Sequence, residues 1–268
     1  MNVMKENKHG ERQEDLTRLQ NLCPLDDAEF LRCIFRDNLP LAQMFLRVVT
    51  RKSDLAVTAL KNPKEIMRAA GTRSICLAAR AHDASGKEYV LEVHKIDCAA
   101  DTFRARYSAS CMDAENLNAD QRYEELPETY AIFITRCDIF GKGAPIYPVE
   151  RFNLTAGEVF DDGKHILYVN GAYRGDNDIG KLMHDFSCSD PDDMQIELLC
   201  ETTRYYKENA EGVEIMCKAF EEVRAEAAEH ERLRNIKSIM DSLKLTAEQA
   251  MDALRIPEAD RPKYLARL

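Results

Sequence analysis

The sequence lacks several patterns that would assign a function directly. No apolar run approaches the ~20 residues that a bilayer-spanning helix needs, so we expect no membrane segment and no membrane partner. The polar residues 1–9 lack the apolar stretch of a secretory signal, which favours a cytoplasmic protein. Walker loops, Gly-x-Gly-x-x-Gly turns and nucleophile elbows are also missing. Their absence argues against P-loop, dinucleotide-binding and α/β-hydrolase functions.

Organised cysteine spacing is missing as well. The nine cysteines are scattered through apolar stretches, and no Cys-x-x-Cys pair occurs. Zinc sites and disulfide frameworks both need a regular spacing. We therefore expect reduced and mostly buried thiols.

Positive charge is in deficit. The chain has 37 Lys and Arg against 47 Asp and Glu, which gives a net charge of −10. Nucleic-acid-binding proteins usually present a basic surface. The net charge thus argues against a broad electrostatic hold on DNA and does not exclude local contacts.

What the chain does have is enough apolar sequence for a core, with 45% hydrophobic residues in 268. Helical periodicity, short β runs and turn residues alternate up to residue 188, and helical patterns dominate afterwards. We expect one domain over residues 1–188 and a helical C-terminal extension over residues 189–268.

The most informative stretch runs from Ser74 to His94 and has the pattern of a β-hairpin. Two β-prone runs flank Ala84-Ser85-Gly86, which has turn composition, and the second run alternates apolar and polar residues. With the turn centred on Ser85, residue 78 lies opposite residue 92. Opposed Cβ atoms in such a pair are about 5 Å apart.

This register sorts the hairpin side chains onto two faces. One face has core character and carries Ile75, Leu77, Ala79, Ala81, Tyr89, Leu91 and Val93. The other carries Cys76, Ala78, Arg80, His82, Val90, Glu92 and His94. A carboxylate on a half-buried strand needs a compensating cation or metal ion. Ala78, however, stands opposite Glu92, where a second carboxylate would complete a divalent-cation site.

Further short motifs follow in a fixed order along the chain. They are Pro24–Phe30, Ile34–Asp37, Phe103–Tyr107, Glu125–Thr135, Asp138–Gly141, Pro145–Tyr147, Asp162–Asn170 and Met183–Phe186. With the hairpin, these motifs resemble the PD-(D/E)XK nuclease superfamily over roughly two thirds of the chain. The resemblance is specifically to the PD-(D/E)XK nuclease family transposases, relatives of the recombination-promoting nucleases.

The resemblance implies an α/β fold, with a restriction-endonuclease-like mixed sheet flanked by helices and followed by a helical C-terminal region. It also implies a DNA endonuclease that uses Mg²⁺ or Mn²⁺ to cleave phosphodiesters during DNA recombination. In the family, an aspartate on one strand and a glutamate on the next hold the metal ion. Such an ion neutralises phosphate oxygens and activates water.

The family's site residues map onto this chain with one gap. Glu92 matches the metal-binding glutamate, and His94 matches the following glutamine or lysine. Asp27 matches an acidic position on the opening helix. Glu92, His94 and Asp27 are therefore the candidate catalytic residues, and Glu92 and Asp27 the candidate metal ligands. Ala78 occupies the place of the lost aspartate, so we expect impaired cleavage.

Each of these residues also has a simpler interpretation. Arg80, one diagonal step from Glu92, could compensate the carboxylate in place of a metal ion. Asp27 could be a helix N-cap. Arg104 and Arg106 could contact DNA phosphates or lie on an exposed helical face.

A histidine and an aspartate are adjacent further along the chain, at His184 and Asp185. The two residues resemble a catalytic dyad, but adjacent side chains on a helix diverge by about 100°. We expect them not to interact.

Two functions remain open from the sequence. One is an endonuclease with an impaired metal site. The other is a catalytically silent nuclease-fold module that binds DNA or a protein, with homo-oligomers assembled through the helical C-terminal region.

Overall fold

The computed structural model describes the backbone of residues 2–61, 78–94 and 102–268, and the side chains of 10–60, 78–92 and 102–268. Its helices are α1 (Asn2–Asn21), α2 (Ala28–Phe35), α3 (Leu39–Thr50), α4 (Thr102–Asn116), α5 (Asp178–Phe186), α6 (Glu197–Glu208), α7 (Ala210–Leu243), α8 (Ala247–Ala253) and α9 (Arg261–Leu265). Its strands are β1 (Val57–Lys61), β2 (Ala79–Asp83), β3 (Glu88–His94), β4 (Thr129–Thr135), β5 (Ile146–Val149), β6 (Phe152–Asn153), β7 (Glu158–Val159) and β8 (Lys164–Asn170). Short 3-10 turns lie at Tyr123–Glu125, Pro191–Asp193 and Glu258–Asp260.

Six of these strands form one mixed sheet in the order β1-β2-β3-β4-β8-β5. The first three strands are antiparallel neighbours, β3, β4 and β8 run parallel, and β5 returns antiparallel to β8. Parallel neighbours require a crossover connection, and α4 lies in the chain between β3 and β4. The expected class, a mixed α/β sheet with flanking helices and a helical C-terminal part, is confirmed.

The hairpin register is confirmed over the paired residues. Ala79 pairs with Leu91 and Ala81 with Tyr89, which centres the turn on Ser85. The amide of Ala78 donates to the carbonyl of Leu91 at 2.8 Å, at the end of this pairing. The pairing ends at Ala79 and Leu91, so the predicted facing of residues 78 and 92 lies just beyond it and stays a prediction.

Both faces of the hairpin are covered by helices. The predicted core face, with Ala79, Tyr89 and Leu91, lines a small apolar space together with Phe35 of α2 and Phe45 of α3. The opposite face contributes Val90 to an apolar cluster with Ala105, Ala109 and Met112 of α4. Glu92 is two residues from Val90 along β3, so the two side chains lie on the same face of the strand, towards α4.

Strand β1 and the start of α6 are not evident from the sequence. Among the described strands β1 pairs with β2 alone and lies at the edge of the sheet, and its alanine and lysine residues have weak strand propensity. The helical pattern of the sequence extends back to Met194, but α6 begins at Glu197. Asp185 accepts the amide hydrogens of Gln195 and Ile196 and holds these residues outside the helix.

Most of the described thiols agree with the prediction from the sequence. Free thiols occur at Cys23, Cys33, Cys111, Cys188, Cys200 and Cys217, and four of these are buried. Cys137, however, is disulfide-bonded. The expectation that all nine cysteines are reduced is therefore wrong at this position.

The chain divides into two units within α7. The first comprises residues up to Met216, and the second contains Cys217–Leu268. Helix α6 packs against α2 within the first unit, and the expected boundary at residue 188 stays a prediction.

The second unit has its own helical core. Ile236 of α7, Met251 of α8 and Tyr264 of α9 are all buried in one cluster. A capping box is present, with Thr246 and Gln249 bonding each other's backbone amides at the start of α8. Within the described parts of the chain, no helix combines the length and apolar character that crossing a membrane requires.

Candidate functional site

Glu92 is the central residue of the candidate site. Its side chain is only 3% exposed, although it carries a carboxylate. The guanidinium of Arg104 forms an ion pair with Oε1, and the hydroxyl of Ser108 donates to Oε2 at 3.1 Å. Both carboxylate oxygens therefore have a partner.

The direction of α4 explains this pairing. Arg104 and Ser108 are four residues apart, so they lie on the same face of the helix. The helix returns antiparallel to β3, which brings its first turns to Glu92 and its last turn to Glu88. The position of Arg104 in the helix thus fixes which carboxylate it meets.

A second buried carboxylate lies on the same face of β3. Glu88 is completely buried and forms an ion pair with Arg80 and a hydrogen bond with Asn116. Arg80 also contacts Glu115 at 2.7 Å and Asn116 at 2.6 Å. Glu88 is not among the candidate residues named from the sequence, although Glu88 and Glu92 lie on the same face of β3.

These pairs decide between two of the open interpretations. A cation does lie against Glu92, but the residue is Arg104, whereas Arg80 pairs with Glu88 and Glu115. The prediction that Arg80 compensates the charge of Glu92 is therefore wrong.

The two arginines proposed for DNA contact differ in their surroundings. Arg104 is held by the ion pair with Glu92, with 42% of its side chain exposed. Arg106 is exposed, and its guanidinium lies 5.4 Å from the ring centroid of Phe103, which is itself 72% exposed. Of the two, Arg106 is the better placed for an external ligand.

Asp27 is the N-cap of α2. Its Oδ1 accepts the amide hydrogens of Glu29 at 2.9 Å and Phe30 at 3.2 Å, and Arg18 contacts Oδ2 at 2.5 Å. A carboxylate in this position satisfies backbone donors at the helix start. The N-cap interpretation is therefore confirmed.

The remaining candidate positions add no ligand to Glu92 among the described side chains. Ala78 is buried and has no donor atom in its side chain. His94 ends β3, and its side chain lies outside the described residues.

These surroundings do not fit Mg²⁺. This ion prefers several oxygen ligands in octahedral geometry, whereas the candidate positions supply one described carboxylate here, Glu92, whose charge Arg104 already balances. A guanidinium beside the carboxylate also repels a divalent cation.

A different cluster lies at the end of α5. His184 Nδ1 is 3.0 Å from Asp185 Oδ1 and 3.6 Å from Cys188 Sγ. The prediction that His184 and Asp185 do not interact is wrong, because the imidazole is long enough to reach the carboxylate of its neighbour despite the rotation between them. Burial, followed by the charges of Asp185 and Asp193, raises the pKa of the Cys188 thiol.

Comparison with known proteins adds no relative. No protein-family model matches the chain, and neither a curated protein nor a solved structure matches it.

Proposed function

We propose that this chain is a PD-(D/E)XK nuclease-type protein that does not cleave DNA and acts as a protein-interaction module. The observation that carries the proposal is the buried Glu92 carboxylate, which is balanced by Arg104 and hydrogen-bonded by Ser108. The order of α3, the antiparallel strands β1 to β3, α4 and the parallel strand β4 is compatible with the fold that the resemblance implies.

Electrostatics supports the loss of cleavage. A buried carboxylate needs a nearby positive charge, and Arg104 supplies one that is covalently fixed to the helix. A divalent ion would have to displace this guanidinium and would gain no ligand from Ala78. Binding of the ion would therefore break the Glu92–Arg104 ion pair. It would also lack the second carboxylate that offsets the cost of dehydrating Mg²⁺.

An exposed apolar ribbon supports protein interaction. Strands β6 and β7 pair with each other, and the ribbon carries Phe152, Leu154, Val159 and Phe160, each at least 53% exposed. Several large apolar side chains exposed on one short ribbon are typical of an interaction site in a soluble protein. The net charge of −10 also favours a protein over DNA as the partner.

DNA binding without cleavage is the second candidate. It is favoured by Phe103 and Arg106, which place an exposed ring beside an exposed guanidinium on α4. Such pairs can stack on bases or contact phosphates. Homo-oligomer assembly through the helical C-terminal region is compatible with either candidate.

Restoring the lost carboxylate tests the nuclease-type assignment. We expect calorimetric titration to show Mg²⁺ binding by the double variant Ala78→Asp/Arg104→Gln and none by the native chain. The matched control is Ala78→Asp/Arg106→Gln, which keeps the Glu92–Arg104 pair and should bind at least tenfold more weakly. A double variant that folds but binds no Mg²⁺ would contradict the proposal.

Fluorescence anisotropy with a labelled DNA duplex separates the two candidates. At about 50 mM salt, where phosphate contacts are strong, we expect no saturable binding by the native chain. Saturable binding that falls with salt and weakens in Arg106→Gln would replace the protein-interaction proposal with the DNA-binding one. Arg122→Gln is the control, since Arg122 is also exposed and pairs with Glu124.

A further inference from the structure

The cluster at the end of α5 brings three different metal-binding groups together. Among the described residues, His184, Asp185 and Cys188 form the one group of three such side chains whose ligand atoms lie within 4.8 Å of one another. His184 and Cys188 are four residues apart, and the Cys188 amide donates to the Asp185 carbonyl at 3.1 Å. This bond continues the helical path just past α5 and keeps the thiol on the side of the imidazole.

Two of the three separations between ligand atoms are close to those of a tetrahedral metal site. Zinc lies about 2.3 Å from sulfur and about 2.0–2.1 Å from imidazole nitrogen, so a tetrahedral angle places these two atoms about 3.5 Å apart. Cys188 Sγ and His184 Nδ1 are 3.6 Å apart. His184 Nδ1 and Asp185 Oδ1, at 3.0 Å, are slightly closer than the corresponding spacing and need to separate by a few tenths of an ångström.

The carboxylate of the cluster is held by backbone groups. Asp185 is completely buried, and its two oxygens accept the amide hydrogens of Gln195 at 2.9 Å and Ile196 at 2.7 Å. Hydrogen bonds of this kind orient ligating side chains and tune their affinity. Each oxygen can accept more than one bond, so Oδ1 keeps a lone pair for a cation.

Access and local charge are also suitable. The His184 side chain is 36% exposed, and Cys188 carries a free, half-buried thiol. Asp190 and Asp193 add negative charge near this sulfur. A cation can therefore reach the cluster from solvent and is attracted to it.

We propose that His184, Asp185 and Cys188 bind a transition-metal ion of the Zn²⁺ type, with the fourth position open to water or to a partner's side chain. The donor set of sulfur, nitrogen and oxygen suits such an ion and not Mg²⁺ or Ca²⁺. On binding, Nδ1 of His184 donates its lone pair with the ring proton on Nε2, and the Cys188 thiol releases its proton.

A nucleophilic Cys-His-Asp triad fits the cluster less well. In a triad, the histidine uses one nitrogen for the nucleophile and the other for the acid. Here Nδ1 of His184 is the nitrogen closest both to Cys188 and to Asp185. The histidine therefore cannot accept the thiol proton while Asp185 holds its opposite nitrogen.

Titration of the full chain with Co²⁺ and Zn²⁺ tests the proposal. Co²⁺ should produce a thiolate charge-transfer absorption in the near ultraviolet at a stoichiometry of one, and Zn²⁺ should abolish it. Cys188→Ser should remove the absorption, and His184→Ala should weaken Zn²⁺ binding at least tenfold in calorimetry. Cys200→Ser is the matched control, because Cys200 is a half-buried free thiol outside the cluster.

The His184 side chain is partly exposed, so we expect the His184→Ala chain to fold. Thermal unfolding without metal ions checks this expectation. The absence of stoichiometric Co²⁺ or Zn²⁺ binding by the native chain would overturn the proposal. Binding that survives both Cys188→Ser and His184→Ala would overturn it too. Neither outcome bears on Glu92, so the proposed function is tested separately.

Discussion

Replacing Arg104 with alanine is expected to lower the free energy of unfolding by about 2–3 kcal/mol. Removing one partner of a fully buried ion pair costs about 3–5 kcal/mol, and the 42% exposure of the Arg104 side chain reduces this figure. The cost arises because Glu92, at 3% exposure, is left as a buried charge with the Ser108 hydroxyl beside it. Urea unfolding of the native and variant chains measures the difference.

The partner variant should behave differently. Glu92→Gln removes the charge that needs compensation and can still accept from Ser108, so we expect a loss of about 1 kcal/mol or less. Adding Glu92→Gln to Arg104→Ala should recover most of the lost stability. Arg106→Ala, on the exposed side of the same helix, is the control and should change stability by less than about 0.5 kcal/mol. An Arg104→Ala variant as stable as this control would refute the role of the ion pair.

Replacing Lys207 with methionine is expected to cost about 3–5 kcal/mol. Lys207 is 2% exposed and donates to the carbonyls of Gln20 at 3.0 Å and Leu22 at 2.6 Å, and also to that of Ser189. Each buried acceptor left without a donor costs about 1–3 kcal/mol. The same lysine joins the end of α1, the loop before α6 and α6 itself, so the loss extends beyond one contact.

Burial lowers the pKa of Lys207, which indicates that its ammonium group has lost much of its hydration. The three carbonyls offset that loss, and methionine fills the space without replacing the donors. Lys181→Met, at an exposed position of α5, is the control and should be nearly neutral. Equal stability of the Lys207→Met and Lys181→Met chains would show that the carbonyl contacts contribute little.

Local patterns made part of this fold predictable. The β2–β3 register follows from period-two alternation and a short turn, because a slip of one residue would exchange the two faces. The N-cap at Asp27 and the capping box at Thr246 follow from backbone donors that need a nearby acceptor. In each case the interacting residues are close in the chain.

Contacts between distant residues were not predictable in the same way. The sequence indicates that Glu92 needs a cation, but only the antiparallel return of α4 over β3 selects Arg104 instead of Arg80. The start of α6 likewise depends on Asp185, which binds amides ten and eleven residues further along. Strand β1 was missed because its residues have weak strand propensity and gain their pairing from β2.

The most direct test of the central claim is a nicking assay with supercoiled plasmid DNA, the native chain and either Mg²⁺ or Mn²⁺. Because Arg104 balances Glu92 in place of a metal ion, we predict that the plasmid stays supercoiled over a full time course. Nicking by the native chain that disappears in Glu92→Ala would contradict the account, since it would show that Glu92 still serves a catalytic metal ion.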